Sequence, residues 1–152
     1  MKSDSKYFGQ CIKRLLVALM ICAASNAPVS AFAADSAVII QYHRFGEADL
    51  PSTNIALEQF EAHLAHLQSG GYTVLPVPHI IAALITGQPL PEKAIGITID
   101  DAAKSVFREA WPRLRSIGFP FTLFVSTDPI DQRHKHSMTW DEIRILADAG
   151  VT

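Results

Sequence analysis

Two adjacent carboxylates, Asp100 and Asp101, follow the apolar run Ala-Ile-Gly-Ile-Thr-Ile at 94–99 and precede two small residues, Ala102 and Ala103. Successive residues of an extended strand point to opposite faces, so both carboxylates reach one site only where the chain turns. Small residues permit that turn. Two ionised carboxylates so close repel unless a cation or a shared proton relieves them. A bound divalent metal is the simplest relief, and it leaves the second carboxylate free as a base. The bland alternative is a pair of solvated turn aspartates.

The other candidate groups are histidines and tryptophans. His43 closes an apolar run at 38–43, at the same end of its predicted strand as Asp100. It reads either as a contact to a bound ligand or as a hydrogen-bonded histidine at the core margin. His63 and His66 stand three apart and could pair on a metal, yet the solvated flank of an amphipathic helix is their ordinary reading. His134 and His136 flank Lys135, whose ammonium opposes cation binding. Trp111 and Trp140 could stack on a ligand, but their helical phase favours packing.

These groups need a scaffold, and the composition bounds it. The chain has 152 residues, 49% hydrophobic and 18% charged, which is too apolar for a disordered tail and enough for one domain or less. Residues 1–33 read as a secretory signal peptide: Lys2, Lys6, Lys13 and Arg14 form a basic start, 15–24 is an apolar run, and Ala31-Phe32-Ala33 offers a cleavage site. Ser25, Asn26, Pro28 and Ser30 end that run well short of the roughly 20 residues a membrane span needs. Ile21 is too bulky for the position before a lipid-modified Cys22. The expected mature chain, 34–152, is therefore exported, to a periplasm or the medium, with no stable membrane span.

Removing the four cations and one acid of the presequence leaves nine Lys and Arg against fourteen Asp and Glu, a net charge of −5. That balance, without basic blocks, gives no electrostatic footprint for nucleic acid. Both cysteines, Cys11 and Cys22, leave with the presequence, so no thiol remains for catalysis or metal binding.

Along 34–152 apolar strand signals alternate with helical ones. Strands are expected over 38–43, 73–77, 94–100 and 121–126. Between them Leu57, Phe60, Leu64 and Leu67 recur at helical spacing up to Gly70-Gly71, and Ile80, Ile81, Leu84 and Ile85 form the predicted apolar face of a helix that Pro78 opens and Gly87 stops. Val106, Phe107, Ala110, Trp111 and Leu114 define a third helix, which Pro112 should kink or divide. A polar loop over 127–138 leads to Thr139-Trp140-Asp141-Glu142, a capping box, and to a helix turning Ile143, Leu146 and Ala147 inward before Gly150. Val151-Thr152 reads as the start of another strand.

Strict strand–helix alternation predicts an α/β fold with a parallel sheet or barrel. Four parallel strands with one helix each would leave an open edge and an incompletely covered apolar face, so 34–152 is expected to be the front part of a larger domain. The C-terminal ends of parallel strands are where such folds place their ligands, and Asp100 stands at one of them.

The run Ile97-Thr98-Ile99-Asp100-Asp101-Ala102 resembles the Thr-Phe-Asp-Asp-Gly motif of the polysaccharide deacetylases with a NodB homology domain, carbohydrate esterase family 4. Tyr42-His43, Gly70-Gly71-Tyr72, Leu90-Pro91, Ser105-Val106, Pro112 and Leu114, 120–125, and Met138-Thr139-Trp140-Asp141 with Ala149-Gly150 follow that family's running pattern over about 37–152. The resemblance implies a distorted (β/α) barrel that uses a divalent metal, often zinc, to hydrolyse N-acetyl groups of an acetylated polysaccharide. On this sequence Asp100 matches the general base, Asp101 matches the aspartate ligand of the metal, and His43 would contact sugar or acetate. A backbone N–H near Ala102 or Ala103 would help hold the oxyanion.

Two departures accompany the resemblance. Ala102 replaces the usual glycine, which costs little if φ there is negative and more if it is positive. The second motif, His-Ser/Thr-x-x-His, which supplies both histidine ligands, does not occur in the 152 residues. This chain by itself is therefore expected to be inactive. The alternative is a carbohydrate-binding or assembly protein that keeps the deacetylase scaffold without turnover. A phosphoryl-transfer enzyme that holds Mg²⁺ with the acid pair is disfavoured, because no phosphate loop or Walker lysine accompanies it.

Overall fold

The computed structural model describes residues 33–152, so the predicted signal peptide at 1–33 lies, except for Ala33, outside the described residues. The organising element is β7, Ala94–Ile99, every residue of which is buried. A continuous apolar run of this kind suits a parallel strand covered on both faces. On one side β7 pairs in parallel with β2, Val38–Tyr42, in the register Val38↔Ile95 to Tyr42↔Ile99. On the other side β5, Thr73–Val74, pairs with its first residues and β8, Thr122–Leu123, with its last.

The pleat sends Ile95, Ile97 and Ile99 into the main core. There they meet Phe60, Leu64 and Leu67 of α1, Leu57–Ser69, together with Val106, Ala110, Leu114 and Leu146. The opposite face is thinner, because Ala94 and Gly96 let α2, Val77–Thr86, approach closely. A Cβ on Gly96 would lie 2.5 Å from Ile39 Cδ1 and 3.0 Å from Val77 Cγ2. The helix buries Val77, Ile80 and Ala83; of the predicted face Ile80 is buried as expected, whereas Ile81, Leu84 and Ile85 are exposed. Helical periodicity alone admitted either stripe, and the small residues of β7 chose the one with Ala83.

Pro112 divides its helix as expected. Residues Val106–Ala110 form a π-helical turn in which the Trp111 N–H bonds to the Val106 carbonyl five residues back, and α3, Trp111–Ser116, follows. A proline ring clashes with the carbonyl four residues before it and offers no N–H. The wider turn relieves that clash without breaking the run. The helix is also tied to α1, since Arg113 bonds Glu61 and Glu109 at 2.9 Å each, which together raise its already high pKa.

The strands predicted over 73–77 and 121–126 shrink to two residues each, Thr73–Val74 and Thr122–Leu123, and the expected polar loop contains α4, Thr127–Asp131. Two short pairings were not anticipated: β1, Ala33–Ala34, runs antiparallel to β6, Leu90–Pro91, and β3, Arg44–Phe45, runs parallel to β4, Asn54–Ile55. Helix α5, Trp140–Asp148, opens with the predicted capping box, but of its expected inward residues Leu146 is buried, Ile143 half-buried and Ala147 exposed. Val151-Thr152 lies along β8, where Leu123 N–H donates to the Thr152 carbonyl at 2.7 Å, without forming a strand.

Thr139→Ala should lower the unfolding free energy by about 1 kcal/mol through loss of the cap. Gly96→Val should cost about 1–3 kcal/mol by forcing α2 off β7. Urea unfolding midpoints at constant slope read both; an unchanged midpoint for Gly96→Val would show that the close approach is not required.

Candidate active site

Continuing the β2–β7 register by one residue sets His43 beside Asp100, and the Asp100 N–H donates to the Tyr42 carbonyl at 2.9 Å. Alternation then puts Gln41 and His43 on the face that carries Asp100. Gln41 Nε2 donates to Asp100 Oδ2, and His43 Nε2 stands 3.7 Å from the same oxygen. The Asp100 side chain is 25% exposed, so it is anchored yet open to solvent. Tyr42 points the other way, against Phe45 and Phe60, with its hydroxyl 3.1 Å from His63 Nδ1. Burial pushes its phenol pKa up, which keeps it neutral.

At Asp101 the chain leaves the strand by a left-handed turn. Asp101 has φ 68° and Ala102 φ 52°. Side chains other than glycine reach this region at a cost of about 1–2 kcal/mol each, aspartate less than most. The positive φ therefore puts the Ala102-for-glycine departure on the costly side. Such strain persists where the surroundings over-determine it. Here the Ala102 carbonyl accepts from Met138 N–H at 2.9 Å, Lys104 N–H donates to the His136 carbonyl at 2.8 Å, and Ala102 and Ala103 are buried.

The turn separates the two acids by neighbour as well as by direction. Asp100 is held from β2, whereas Asp101 Oδ1 accepts from Ser126 Oγ at 3.0 Å, just beyond β8 on the opposite side of β7. Asp101 and Ser126 line a cavity of about 950 Å³. Neither Gln41 nor Ser126 was singled out from sequence. Gln41 had a signal, because it lies two residues before His43 and so shares its face; Ser126 had none short of knowing which strands pair.

The remaining candidates disperse. His63 serves Tyr42, and His66 packs on Tyr72 with ring centroids 5.5 Å apart. His134 and His136 stand in the cavity wall with ring centroids 6.1 Å apart. Trp111 is half-buried against Phe107, with Arg115 over its ring, while Trp140 is 43% exposed and donates to Asp131 Oδ1 at 2.8 Å. Among the described residues no three His, Cys, Asp or Glu side chains converge as a metal would require. A catalytic zinc takes three protein ligands. The described residues therefore do not by themselves fit a metal centre.

Over 115 residues, 75% of its length, the chain is 30% identical to YxkH of Bacillus subtilis (strain 168), a polysaccharide deacetylase by name. The chain's relatives are polysaccharide deacetylases. A second, the poly-β-1,6-N-acetyl-D-glucosamine N-deacetylase of Escherichia coli (strain K12), is 27% identical over 126 residues. The fold agrees with IcaB from Ammonifex degensii at a TM-score of 0.67 and 27% identity, over 78% of this chain and 51% of that one. It agrees equally with a de-N-acetylase from Aggregatibacter actinomycetemcomitans, at a TM-score of 0.67 and 21% identity, over 76% of this chain and 52% of that one. No family model matches the chain. The chain spans 39% of the Bacillus relative and 19% of the Escherichia one, and about half of each solved deacetylase. The parallel α/β architecture is thus that of the NodB-like deacetylase domain over the part the chain covers.

Two substitutions read the strained turn. Ala102→Gly should change stability by less than about 1 kcal/mol, because relief of the left-handed backbone offsets the loss of one buried methyl, worth about 0.8 kcal/mol. Ala102→Val should cost about 2–4 kcal/mol, since a branched side chain is a genuine outlier at positive φ and the site is closed. Thermal unfolding of the two variants checks the contrast; equal losses would mean that packing, not φ, governs the position.

Proposed function

We propose that the residues at the C-terminal ends of β2, β7 and β8 form the base side of an active site that hydrolyses N-acetyl groups on an amino-sugar polymer. The observation that carries this reading is the placement of Asp100: a carboxylate fixed through one oxygen by Gln41, with the other free, at the end of the central parallel strand. The names of the deacetylase relatives supply the substrate class.

In this reading Asp100 is the general base. The Gln41 amide holds Oδ2, with His43 Nε2 3.7 Å from the same oxygen, which leaves Oδ1 to take a proton from a water attacking the acetamide carbonyl. His43, beside Asp100 and 31% exposed, contacts the sugar or the released acetate. Asp101, turned toward Ser126, would offer one oxygen donor to a divalent ion, zinc among the candidates, whose chemistry there would be Lewis-acid polarisation of the carbonyl. One carboxylate does not hold such an ion, and no histidine among the described residues joins it. Backbone N–H groups near Ala102 or Ala103 are the donors for the developing oxyanion. Export follows from the basic and apolar run at 1–33. No helix among the described residues is long and apolar enough to cross a membrane.

A second reading, a carbohydrate-binding or assembly protein without turnover, is favoured by the absence of a three-donor cluster among the described residues.

Acetate release from N-acetylglucosamine hexasaccharide separates the two. Supplied with the missing histidine ligands, the protein should release acetate, and Asp100→Asn in that form should reduce kcat by about 10²–10⁴-fold, the usual worth of a positioned base. Full activity in Asp100→Asn would remove the assigned base. Sugar binding without acetate release by that completed form would establish the second reading. The 152-residue chain by itself should release no acetate with or without added zinc, and metal-dependent release from it would contradict the incomplete ligand set.

A further inference from the structure

The cavity beside Asp101 has a charge distribution that the proposed hydrolysis does not use. One wall is the helical turn after the acid pair, where Lys104 and Arg108 stand four residues apart and so share a face. Facing them is the segment His134, Lys135, His136, strapped to that turn by the Lys104 N–H bond to the His136 carbonyl and by the Ala103↔Ser137 bridge. The acids of the rim are partly spoken for. Glu47 lies 3.5 Å from Arg44 and accepts from Ser105 Oγ, and Glu109 is bonded by Arg113. Among the described residues Lys104, Arg108 and Lys135 have no carboxylate within 4 Å. The lining as a whole sets Arg44, Lys104, Arg108 and Lys135 against Glu47, Asp49, Asp101 and Glu109; with Arg44 beside Glu47 and Arg113 bridging Glu109 and Glu61, Asp49 and Asp101, the latter bonded to Ser126, are the lining acids left without a cation of their own.

We propose that this cavity binds an anionic substituent, a carboxylate or a phosphate, on the sugar next to the acetamido group presented to Asp100 and Asp101. The substrate is then an acidic amino-sugar polymer; the assignment rests on the deacetylase reading above. Lysine and arginine hydrogen bonds to carboxylate or phosphate are charge-assisted and among the strong ones, and the two imidazoles add donors on the same wall. The net charge of −5 over 34–152 argues against non-specific attraction of long polyanions, because the protein as a whole repels them. Only a group delivered within about one Debye length of the cluster, about 8–10 Å at ordinary salt, senses its local sign.

The test is calorimetric titration of the full chain with neutral and acidic sugars of matched size. N-acetylglucosamine hexasaccharide and hyaluronan hexasaccharide form the carboxylate arm; N-acetylglucosamine and its 6-phosphate form the phosphate arm. At least one acidic ligand should bind about tenfold or more tighter than its neutral counterpart at low salt, with the gap narrowing as salt rises, and the arm that shows the gap names the substituent. The double variant Lys104→Gln, Lys135→Gln should close the gap while leaving affinity for the neutral sugar unchanged. Lys135→Gln alone, on the exposed loop, should narrow it and guards against a folding effect at half-buried Lys104. Equal affinity for acidic and neutral sugars, or a gap that survives both substitutions, would overturn the inference and leave the deacetylase reading standing. Binding of polyglutamate as tightly as of hyaluronan would likewise overturn the inference alone, whereas binding of no sugar at all would overturn the deacetylase reading and the inference with it.

Discussion

Where β7 ends, the chain turns through two consecutive left-handed residues, neither of them glycine. Left to itself such a turn would relax, because each residue pays a steric penalty between Cβ and the following carbonyl. It persists because both flanks are fixed. Before it, all of β7 is buried and laddered to β2; after it, Ala102, Ala103 and Lys104 are stitched to the segment ending in Met138. Relaxing the turn would break those backbone bonds or expose the core residues Ala102 and Ala103. The positions of Asp100, of Asp101 and of the cavity all depend on it.

The turn also explains how two sequence neighbours take different partners. Asp100 remains in the plane of the sheet and is held from β2, while Asp101 has left it and meets Ser126 beyond β8. A carboxylate anchored by a neutral amide keeps a free oxygen for proton transfer, and a carboxylate bonded to one hydroxyl keeps donor capacity for another group. Which partner each acid takes is therefore a property of which strands flank β7. The same arrangement sets the cations of the cavity beside Asp101, since Lys104 and Arg108 sit on the helix the turn launches.

Much of the scaffold was legible because its signals are local. The run at 94–99 has the composition of a buried parallel strand, the 3.6 period from Leu57 to Leu67 defines α1, and Thr139 with Glu142 writes its own cap. Pro112 announced the divided helix, although its resolution as a π turn depends on packing. The misread apolar face of α2 shows the limit of periodicity. That segment is apolar on most of its circumference, so the buried stripe is chosen by what it packs against, here Ala94 and the bare backbone of Gly96. The unforeseen helix α4 in the polar segment after β8 buries Ile130, one apolar residue among polar ones, too weak a pattern to be seen alone.

By itself the sequence determined the strand–helix alternation, the acid pair at a strand end, the likeness to the deacetylases and the substitution of Ala102 for a glycine, all of which are matters of residue type and short spacing. Only the tertiary structure decided the sign of φ at Ala102, the attachment of Asp100 to Gln41 with His43 beside it, that of Asp101 to Ser126, and the gathering of Lys104, Arg108 and Lys135 around one cavity. Those contacts join residues from 4 to 59 positions apart through strand pairing and a strained turn. Register and backbone handedness are set by the balance of the whole packed sheet, which no window along the chain contains.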